Sequence, residues 1–396
     1  MMNHILTINS GSSSIKFSVY QIGHSESLIL SGIIERIGLK PTILKFKDAQ
    51  GETNLGDHLY LRDHDAAFGA LFQWLRKNSP VEKIDAVGHR IVHGGSEYSR
   101  PQEITPELIE KLKGLAPLAP DHLPNEITGI AAINNTYPGL SQVACFDTAF
   151  HRHLPLRAKM FALPRSLFRE GIMRYGFHGL SYEYIMQELM TVAGEKAAKG
   201  RVIIAHLGSG ASMVAVKDGK SMDTTMGFTP TGGLMMGTRS GDLDPGILIY
   251  LLAEKGLSPS SLNEVLNVYS GLLGVSGRGS DMKFLLDNET KSSDVAEAIY
   301  LFCYQAKKFL GALCTTLGGL DTLIFTGGIG ENSPVIRKRI CDDMTFLNIY
   351  LDPIKNEANK SIISSDGVPT TIRVMRTNEE LMIARHTNNV VNQDHY

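Results

Sequence analysis

The sequence predicts an α/β protein built from two domains of similar plan. At 396 residues the chain is too long for a single hydrophobic core to be the default. Strand patterns and helix patterns are mixed along its length, which is typical of the α/β class. An apolar strand, a turn of small residues and a second strand occur at 5–20 and again at 203–219. We therefore expect each domain to begin with a hairpin that presents a small-residue loop.

The composition is that of a globular protein without a general attraction to polyanions. Hydrophobic residues make up 43% of the chain and charged residues 20%, and the formal net charge is −2. This balance argues against nucleic acid or an anionic membrane as a partner. No apolar run has the length of a membrane span and no export signal is evident, so we expect a cytoplasmic protein. Widely spaced cysteines argue against a zinc site or a disulfide framework, and these are Cys145, Cys303, Cys314 and Cys341.

The first hairpin contains the stretch ILTINSGSSSIKFSVY. One interpretation is a plain β-turn, in which Gly11 supplies a positive φ and serine hydroxyls bond to the turn backbone. The other is a loop whose N–H groups close around phosphate oxygens, with Asn9 and Lys16 pointing into the same space. The strands of this hairpin align with those of the second hairpin, at 203–219, when residues 12–14 are set against 210–212. An offset one residue longer fits almost as well.

A third apolar strand with a glycine loop, TLIFTGGIGEN, lies at 322–332. Three small-residue loops that each follow a strand indicate a common ligand. The chain has no GxxxxGK[ST] motif and no GxGxxG after a strand, which excludes a P-loop and disfavours a dinucleotide fold. Hairpin loops still hold nucleotide phosphates through backbone N–H groups and a lysine, so two facing loops would grip a phosphate chain from both sides.

Helical patterns separate these strands. Ser258 and Pro259 predict the cap and first turn of a helix that ends at Gly271. Its expected apolar face consists of Leu262, Val265, Leu266 and Tyr269. We expect the polar tail at 387–396 to fray.

Several charged residues occur in unusual settings. Arg90 and Arg239 lie among glycines, in GHRIVHGG and MMGTRSGDLDPG. One such arginine is often a solvated loop charge, but two favour a clamp for carboxylate or phosphate. Asp147 follows a buried strand, where sheets carry ligands. His178 is either a satisfied structural histidine or a site residue. With the phosphate-type loops, this inventory indicates phosphoryl transfer.

Taken together, the motifs resemble the acetate kinase family, within the acetate and sugar kinase, heat-shock chaperone and actin superfamily. The resemblance runs essentially end to end through NSGSSSIKF, GHRIVHGG, FDTAFH, YGFHG, HLGSGAS, GLMMGTRSGDLDPG, FTGGIGEN and TNEE, in the family's order. It implies two domains of ribonuclease-H-like (actin-like ATPase) plan with a cleft between them. Residues 1–148 with about 380–396 would form the acyl-substrate and metal side, and 149–379 the nucleotide side. It also implies a homodimer.

The resemblance carries family roles onto matching positions. Asn9 and Glu379 match the residues that place Mg²⁺, with Mn²⁺ as an alternative ion, and ATP or ADP is the co-substrate. The catalytic positions are Asp147, Arg90, His178, Arg239 and His122. The nucleotide positions are Lys16, His206, Leu207, Gly208, Ser209, Gly210, Asp281, Met282, Lys283, Gly328, Ile329, Gly330, Glu331 and Asn332. The acyl pocket is lined by Arg90, Val92, Phe177 and Pro230.

Four departures from the family pattern concern specificity. Ser209 replaces the usual asparagine of the nucleotide loop, and Lys283 replaces an arginine, which keeps the charge and loses the planar fork. Both bear on nucleotide affinity and base preference. Asp121 stands where leucine is usual, and Thr231–Gly232 replaces Leu-Glu. Both bear on the acyl chain, because a carboxylate that faces a methyl group is unfavourable.

The chemistry of the acceptor limits what Asp147 does. A carboxylic acid with a pKa of about 4.3 is already an anion at neutral pH, so no general base is needed. We therefore expect Asp147 to orient metal-bound water or an arginine, while arginines, a histidine and the metal offset repulsion between two anions. The predicted reaction is reversible, in-line phosphorylation of acetate by ATP. The alternatives are a propionate- or butyrate-preferring kinase, an ATPase-type conformational protein, a scaffold with an inactive site, and transfer through a phospho-aspartyl or phospho-histidyl intermediate.

Overall fold

A computed structural model describes residues 3–48, 51–55 and 60–393. The chain divides into two compact units, the first drawn from residues 1–149 and 378–396 and the second from 150–377. Each unit has one β-sheet in the described part of the chain. Within those ranges no helix is both long and apolar enough to cross a membrane.

The first unit contains a mixed sheet and flanking helices. Its strands are β1 (Asn3–Ser10), β2 (Ser14–Ile22), β3 (Glu26–Glu35), β4 (Ile43–Asp48), β5 (Gly51–Leu55), β6 (Ala86–Ile91), β7 (Gln102–Glu103) and β8 (Ser141–Phe146). Its helices are α1 (His64–Asn78), α2 (Pro106–Leu115), α3 (Leu123–Thr136) and, after the second unit in the sequence, α15 (Glu379–Gln393). The strand order is β5-β4-β3-β2-β1-β6-β8-β7.

The second unit has a smaller sheet and more helices. Its strands are β9 (Val202–Leu207), β10 (Ala211–Lys217), β11 (Lys220–Thr224), β12 (Thr322–Thr326) and β13 (Thr371–Val374), in the order β11-β10-β9-β12-β13. Its helices are α4 (Leu156–Lys159), α5 (Arg165–Arg169), α6 (Gly179–Lys199), α7 (Pro245–Ala253), α8 (Pro259–Asn267), α9 (Gly271–Ser276), α10 (Met282–Asn288), α11 (Ser293–Leu317), α12 (Gly327–Asn332), α13 (Pro334–Cys341) and α14 (Pro353–Glu357). Single 3₁₀ turns occupy Ala116–Leu118, Ala149–His153, Glu289–Lys291 and Thr345–Leu347.

The two sheets repeat one plan. β1–β3 and β9–β11 are antiparallel meanders, and each meander is followed by two strands parallel to its first strand, β6 and β8 or β12 and β13. Each meander has an irregularity in the same place, at Val19/Tyr20 and at Ala215/Val216. The predicted α/β class and the duplicated plan are confirmed.

The predicted alignment of the two hairpins is wrong by one or two residues. The last pair before the first loop is Ser10 with Ile15, and the last pair before the second loop is Leu207 with Ala211. The second loop is therefore one residue shorter, and no single offset aligns both strands. Asn9 and His206 occupy equivalent positions, each one residue before the last paired residue on the first strand of its hairpin.

Three local predictions also change. Ser258 caps α8 by accepting the N–H of Ser261, as predicted, but the helix ends at Asn267 and Gly271 begins α9 instead. The predicted glycine loop after β12 is the short helix α12. The polar tail does not fray over its described part, because Thr387 is buried within α15; residues 394–396 lie outside the described ranges.

Gly88 has no side chain, and this lets α15 lie close to the sheet of the first unit. A Cβ on Gly88, in the middle of β6, would lie 2.2 Å from the Oγ1 of Thr387 and 2.5 Å from the Cγ2 of Ile383. Both side chains are buried. Only glycine permits this approach, which brings the start of α15 to the end of β6 where Arg90 stands.

Candidate active site

One arginine and three carboxylates form a cluster in the first unit, with Glu126 and Asp147 buried and Arg90 and Glu379 partly buried. It lies at the carboxyl ends of the parallel strands β1, β6 and β8, the edge at which sheets of this kind bind ligands. The guanidinium of Arg90 donates from Nη2 to the Oδ2 of Asp147 and from Nη1 to the Oδ1 of Asn9, at 3.5 Å for the latter. Carboxylate oxygens of Glu126 and Glu379 lie 4.0 Å from its Nη1 and Nε.

Each member is positioned by a different element. Arg90 is the fifth residue of β6, and Asp147 directly follows β8, as the sequence predicts. The backbone N–H of Asp147 donates to the carbonyl of Ile91 at 2.9 Å, which extends the β6–β8 pairing by one bond. Glu126 comes from the buried face of α3, and Glu379 is the first residue of α15.

Three carboxylates around one guanidinium leave an excess of negative charge, and the pKa values reflect this. Burial raises the pKa of Glu126 to about 8, against the opposing influence of Arg90 and of the hydrogen bond from Val92. Burial and the charge of Asp147 raise the pKa of Glu379 to about 7. Burial acts to lower the pKa of Arg90, but its carboxylate neighbours outweigh that cost and raise it above its ordinary value. Arg90 therefore stays charged while part of its surroundings stays protonated.

The cluster contains buried polar atoms without a hydrogen-bond partner and oxygens that could bind a metal ion. Among the residues that the structure describes, Asp147 Oδ1 and Arg90 Nε are buried without a hydrogen-bond partner. No group of three His, Cys, Asp or Glu side chains that could hold a metal occurs in the same ranges. Mg²⁺ is commonly bound through one or two carboxylates, with waters and substrate phosphates completing its shell. The oxygens of Asn9, Asp147 and Glu379 fit that manner of binding.

In the second unit, His178 is held by a short chain of hydroxyl groups. It precedes α6 with a left-handed φ of 59°, which turns the chain into the helix. Its Nδ1 lies 2.8 Å from the Oγ of Ser212, and the hydroxyl of Tyr182 bonds to the same oxygen. A Cβ on Gly210 would lie 3.2 Å from His178 Nε2 and 3.6 Å from Arg239 Nη1. The predicted residues His178 and Arg239 therefore flank the same glycine.

Ring stacking between two histidines links this group to β9. The ring of His206 stacks on that of His178 at 4.3 Å between centroids. The Nδ1 of His206 lies 2.8 Å from the Oγ of Ser181, which lies 2.8 Å from the Oγ1 of Thr377. The backbone N–H of Thr377 donates to the carboxylate of Glu331 at 3.1 Å. Hydrogen bonds thus connect His206 in β9 with Glu331 in α12, and ring stacking adds His178 to this group.

The predicted nucleotide loops converge. In the loop 208–210, the carbonyl of Ser209 accepts the N–H of Gly237 at 3.0 Å. A Cβ on Gly208 would lie 3.8 Å from the backbone nitrogen of Gly328, and one on Gly237 would lie 3.4 Å from the Cβ of Ser280. The hairpin loop, the start of α12 and the segment before α10 therefore meet around a surface of small residues. A nucleotide phosphate chain can approach the backbone closely there.

A buried arginine fixes α12. Arg337, fully buried, donates to the carbonyls of Gly330 and Glu331 at 2.8 and 3.0 Å and to the side-chain and main-chain oxygens of Asn356. The carboxylate of Glu331 itself accepts the N–H of Gly327 at 3.0 Å. Glu331 is thus engaged within the protein, where it ties α12 to β12.

The remaining predicted nucleotide positions have mixed settings. Asp281 caps α10 by accepting the N–H of Phe284 at 2.7 Å. Met282 is buried, whereas Lys283 is exposed. The other members lie at the end of β9 or in α12, and they are Leu207, Ile329 and Asn332.

The predicted acyl-pocket residues are divided between the units. Val92, in the first, is buried and its N–H donates to Glu126; Phe177, in the second, is also buried. The carbonyl of Pro230 accepts from Arg239 at 3.2 Å. Other predicted residues of the first unit are His122, which directly precedes α3, and the exposed Lys16, which pairs across the hairpin with Asn9.

Two of the departures from the family pattern are accounted for locally. Asp121 is exposed, so its carboxylate is solvated. Thr231 donates from Oγ1 to the Oδ1 of Asn267 at 2.6 Å, so its hydroxyl is satisfied within the second unit.

Sequence reasoning missed Glu126, Ser212 and Arg337. Glu126 had a visible signal, because it occupies the helical face shared by Leu123 and Ile130, where an apolar residue is expected. Ser212 and Arg337 gave no such signal. Their partners come from distant parts of the chain.

The two sheets have this strand order and carry small-residue loops after their first strands. Arginines stand beside carboxylate and histidine partners. These features define a phosphotransferase of the actin-like ATPase fold class. A family model described as "Acetokinase family" matches residues 4–385. An acetate kinase of Rhodopseudomonas palustris (strain ATCC BAA-98 / CGA009) is 46% identical over 396 residues and covers 98% of both chains. The chain belongs to the acetokinase family.

Solved structures agree with this assignment. The crystal structure of Porphyromonas gingivalis acetate kinase matches with a TM-score of 0.87 at 38% identity, covering 98% of this chain and 100% of that one. A propionate kinase from Francisella tularensis subsp. tularensis SCHU S4 matches with a TM-score of 0.91 at 40% identity and the same coverage.

Proposed function

We propose that this chain catalyses the reversible phosphorylation of acetate to acetyl phosphate, with ATP as the phosphoryl donor. Membership of the acetokinase family supports the reaction class. The observation that carries the proposal is the pairing of a permanently charged Arg90, whose side chain is 12% exposed, with Asp147 at a sheet edge. A guanidinium held in this way is suited to an anionic acceptor.

In this proposal, Arg90 receives the substrate carboxylate and Asp147 holds the guanidinium in place. The acid is already ionised at neutral pH, so the site needs no general base for it. The free Oδ1 of Asp147 is left to orient water or a metal-bound ligand. Loss of Arg90 should cost on the order of 10³-fold in rate, as for other arginines that neutralise transferring phosphoryl groups.

We assign His178 and Arg239 to the transferring phosphoryl group. Their approach to one glycine supports a joint role, and the bond from Ser212 fixes the ring of His178 so that Nε2 is turned towards Gly210. His122 is assigned a supporting role on the acyl side. Direct in-line transfer needs positioning and charge neutralisation, which these groups supply.

The small-residue surface of the second unit is assigned to ATP or ADP. Its backbone N–H groups would receive the phosphates, with Lys283 as a cation of the same unit. Lys16, in the first unit, is also assigned to the nucleotide. Asn9 and Glu379 would hold Mg²⁺, or Mn²⁺ in its place, with Asp147 close by. When bound, the ion supplies charge neutralisation for the phosphate oxygens. The first unit would thus carry acyl and metal functions and the second unit the nucleotide.

The acyl chain is the least constrained part of the proposal. One similar solved structure is that of a Francisella propionate kinase, and Asp121 and Thr231 each stand where leucine is usual in the family. We favour acetate, with propionate as the competing substrate.

We further propose a cytoplasmic homodimer that joins through α7. No residue of α7 is buried, although its sequence is PGILIYLLA, and Ile249 and Tyr250 are 66% and 51% exposed. An exposed apolar helix of this kind favours a subunit interface. All four cysteines are buried and none forms a disulfide, which suits a reducing compartment. Light scattering of the wild type and Ile249→Asp tests the dimer, which the substitution should dissociate.

The reaction is tested by trapping acyl phosphate as its hydroxamate. Purified chain is supplied with ATP, Mg²⁺ and acetate, propionate or butyrate in turn. The proposal predicts acyl phosphate with the highest kcat/KM for acetate. A higher kcat/KM for propionate would reassign the substrate, and phosphate release indifferent to every carboxylate would move the chain to the ATPase class.

A further inference from the structure

Glu126 makes an interaction that neither the strand pattern nor the proposed catalytic roles require. Both of its carboxylate oxygens accept the backbone N–H of Val92, at 3.2 and 3.1 Å. The side chain is 1% exposed, and its Oε1 lies 4.0 Å from Nη1 of Arg90. One carboxylate therefore contacts the main chain of Val92 while facing the guanidinium two residues earlier.

Val92 needs such a partner because β6 ends at Ile91. Beyond that residue the sheet no longer supplies acceptors, and a buried N–H without one is costly. The neighbouring main chain is held in a similar way, since the N–H of Gly94 donates to the Oγ1 of Thr148 at 3.2 Å. Side chains from α3 and from the segment that follows β8 thus replace the missing strand partners.

α3 is rigidly placed for this purpose. A Cβ on Gly129, one turn after Glu126, would lie 2.7 Å from the ring of Phe68 on α1. Leu123 and Ile130 on the same face are fully buried. The carboxylate is therefore delivered to Val92 by a helix that cannot shift easily.

A purely structural role does not explain why the side chain at this position is a glutamate. A hydroxyl or an amide would be enough to satisfy the N–H of Val92. Glu126 places an oxygen, Oε1, that accepts this N–H and also lies 4.0 Å from Nη1 of Arg90. One carboxyl group therefore contacts the main chain of Val92 and faces the guanidinium at the same time.

We propose that Glu126 is the positioning residue that sets the wall of the acyl pocket at Val92 relative to the carboxylate clamp at Arg90. This inference rests on the proposed function. It concerns the distance between a methyl-contacting side chain and a carboxylate-binding group, so Glu126 should govern discrimination between acids rather than binding of ATP.

The test compares Glu126→Gln, which keeps an acceptor for Val92, with Glu126→Leu, which keeps a similar volume without one. The matched control is Glu97→Gln, because Glu97 is an exposed glutamate of the same unit whose partner is Lys111. We expect Glu126→Leu to raise the KM for acetate about tenfold, as for loss of one buried hydrogen bond, with the KM for ATP within about twofold of the wild type. The KM for acetate of Glu126→Gln should lie between the values of the wild type and Glu126→Leu.

The second readout is the ratio of kcat/KM for acetate to that for propionate. We expect Glu126→Leu to bring this ratio closer to one, Glu126→Gln to restore much of it, and the control to leave it unchanged. Should Glu126→Leu not fold, Glu126→Asp replaces it, because the shorter side chain withdraws the carboxylate from Val92.

The outcomes separate the two proposals. A wild type that forms no acyl phosphate overturns the proposed function and this inference with it. An active wild type whose folded Glu126 variants keep both the KM for acetate and the acid ratio overturns the inference alone. Equal increases in the KM for acetate and for ATP would also overturn it, since a merely structural role predicts that pattern.

Discussion

The partly buried Arg90 and the buried Asp147 form an ion pair across the ends of two neighbouring parallel strands, β6 and β8. Asp147 is bonded through its main chain to Ile91 as well, so both partners are tied to the same short piece of sheet. The pair is therefore preorganised. A clamp that is already in place at a sheet edge does not have to be ordered when an anion binds, which favours catalysis by positioning.

Gly210→Ala should impair catalysis through crowding. The new Cβ would lie 3.2 Å from His178 Nε2, and Arg239 Nη1 would be 3.6 Å away. Displacing these groups by a fraction of an ångström should lower kcat about tenfold or more. Gly311→Ala is the matched control, since a Cβ there meets nothing within 4 Å and lies in α11. Steady-state rates of acyl phosphate formation decide the matter, and equal kcat for both variants would contradict the assignment.

Ser212→Ala should reduce kcat. Removing Oγ frees the Nδ1 of His178 and the hydroxyl of Tyr182 from their common partner. We expect kcat to fall about tenfold, as for loss of a group that orients a catalytic histidine, while the KM for ATP changes little. Ser261→Ala, at an exposed serine in α8, provides the control. An unchanged kcat in Ser212→Ala would show that His178 needs no such support.

Glu126 should make stability depend on pH. Its pKa rises from 4.5 to about 8 in the folded chain, chiefly through burial. The folded state then keeps a proton that the unfolded state releases, so this group lowers the free energy of unfolding as pH rises between those values. Glu126→Gln removes the effect.

Thermal unfolding at pH 5 and pH 8 measures that difference. The free energy of unfolding of Glu126→Gln should gain at least about 1 kcal/mol on that of the wild type between the two pH values. This corresponds to a relative gain in Tm of roughly 2–4 °C for a unit of this size. Glu379, whose pKa is also raised, is present in both proteins and cancels in the comparison. A difference in Tm that stays constant with pH contradicts the buried, protonated carboxyl.

Arg337→Met should destabilise the second unit. The substitution leaves the carbonyls of Gly330 and Glu331 and the oxygens of Asn356 without their donor, at roughly 1–3 kcal/mol for each buried group. We expect a loss of at least about 3 kcal/mol in the free energy of unfolding, on the same scale. Denaturant titration measures it.

Arg339 gives the control for that substitution. It lies two residues later, pairs with Glu289 and is 34% exposed, so Arg339→Met should cost about 1 kcal/mol or less. Similar losses for the two variants would show that burial of Arg337 does not determine its contribution.

The sequence was informative where one segment determines its own structure. The strand before Asp147, the cap at Ser258 and the duplicated hairpins follow from local patterns, and the structure confirms them. The alignment of the hairpins failed because a difference of one residue in loop length leaves no trace in two glycine- and serine-rich turns. The predicted end of α8 was wrong because Gly271 begins a helix instead of ending one.

The rest of the site depends on contacts between distant segments. Arg337 meets Asn356 only after α13 and α14 have packed, and α15 reaches Arg90 because Gly88 leaves room for it. Glu126 resembles any other helical glutamate until α3 is placed on the sheet. Periodicity marks it as buried, but its partner at Val92 cannot be inferred from spacing.

The central claim is that the phosphoryl group is transferred to a carboxylate and not to water. It is tested most directly by measuring ADP and trapped acyl phosphate in the same reactions with ATP and acetate, for the wild type and Arg90→Ala. The account predicts equal amounts of the two products in the wild type and a loss of both in Arg90→Ala, by on the order of 10³-fold. ADP released without acyl phosphate, at a rate that Arg90→Ala leaves unchanged, would contradict it.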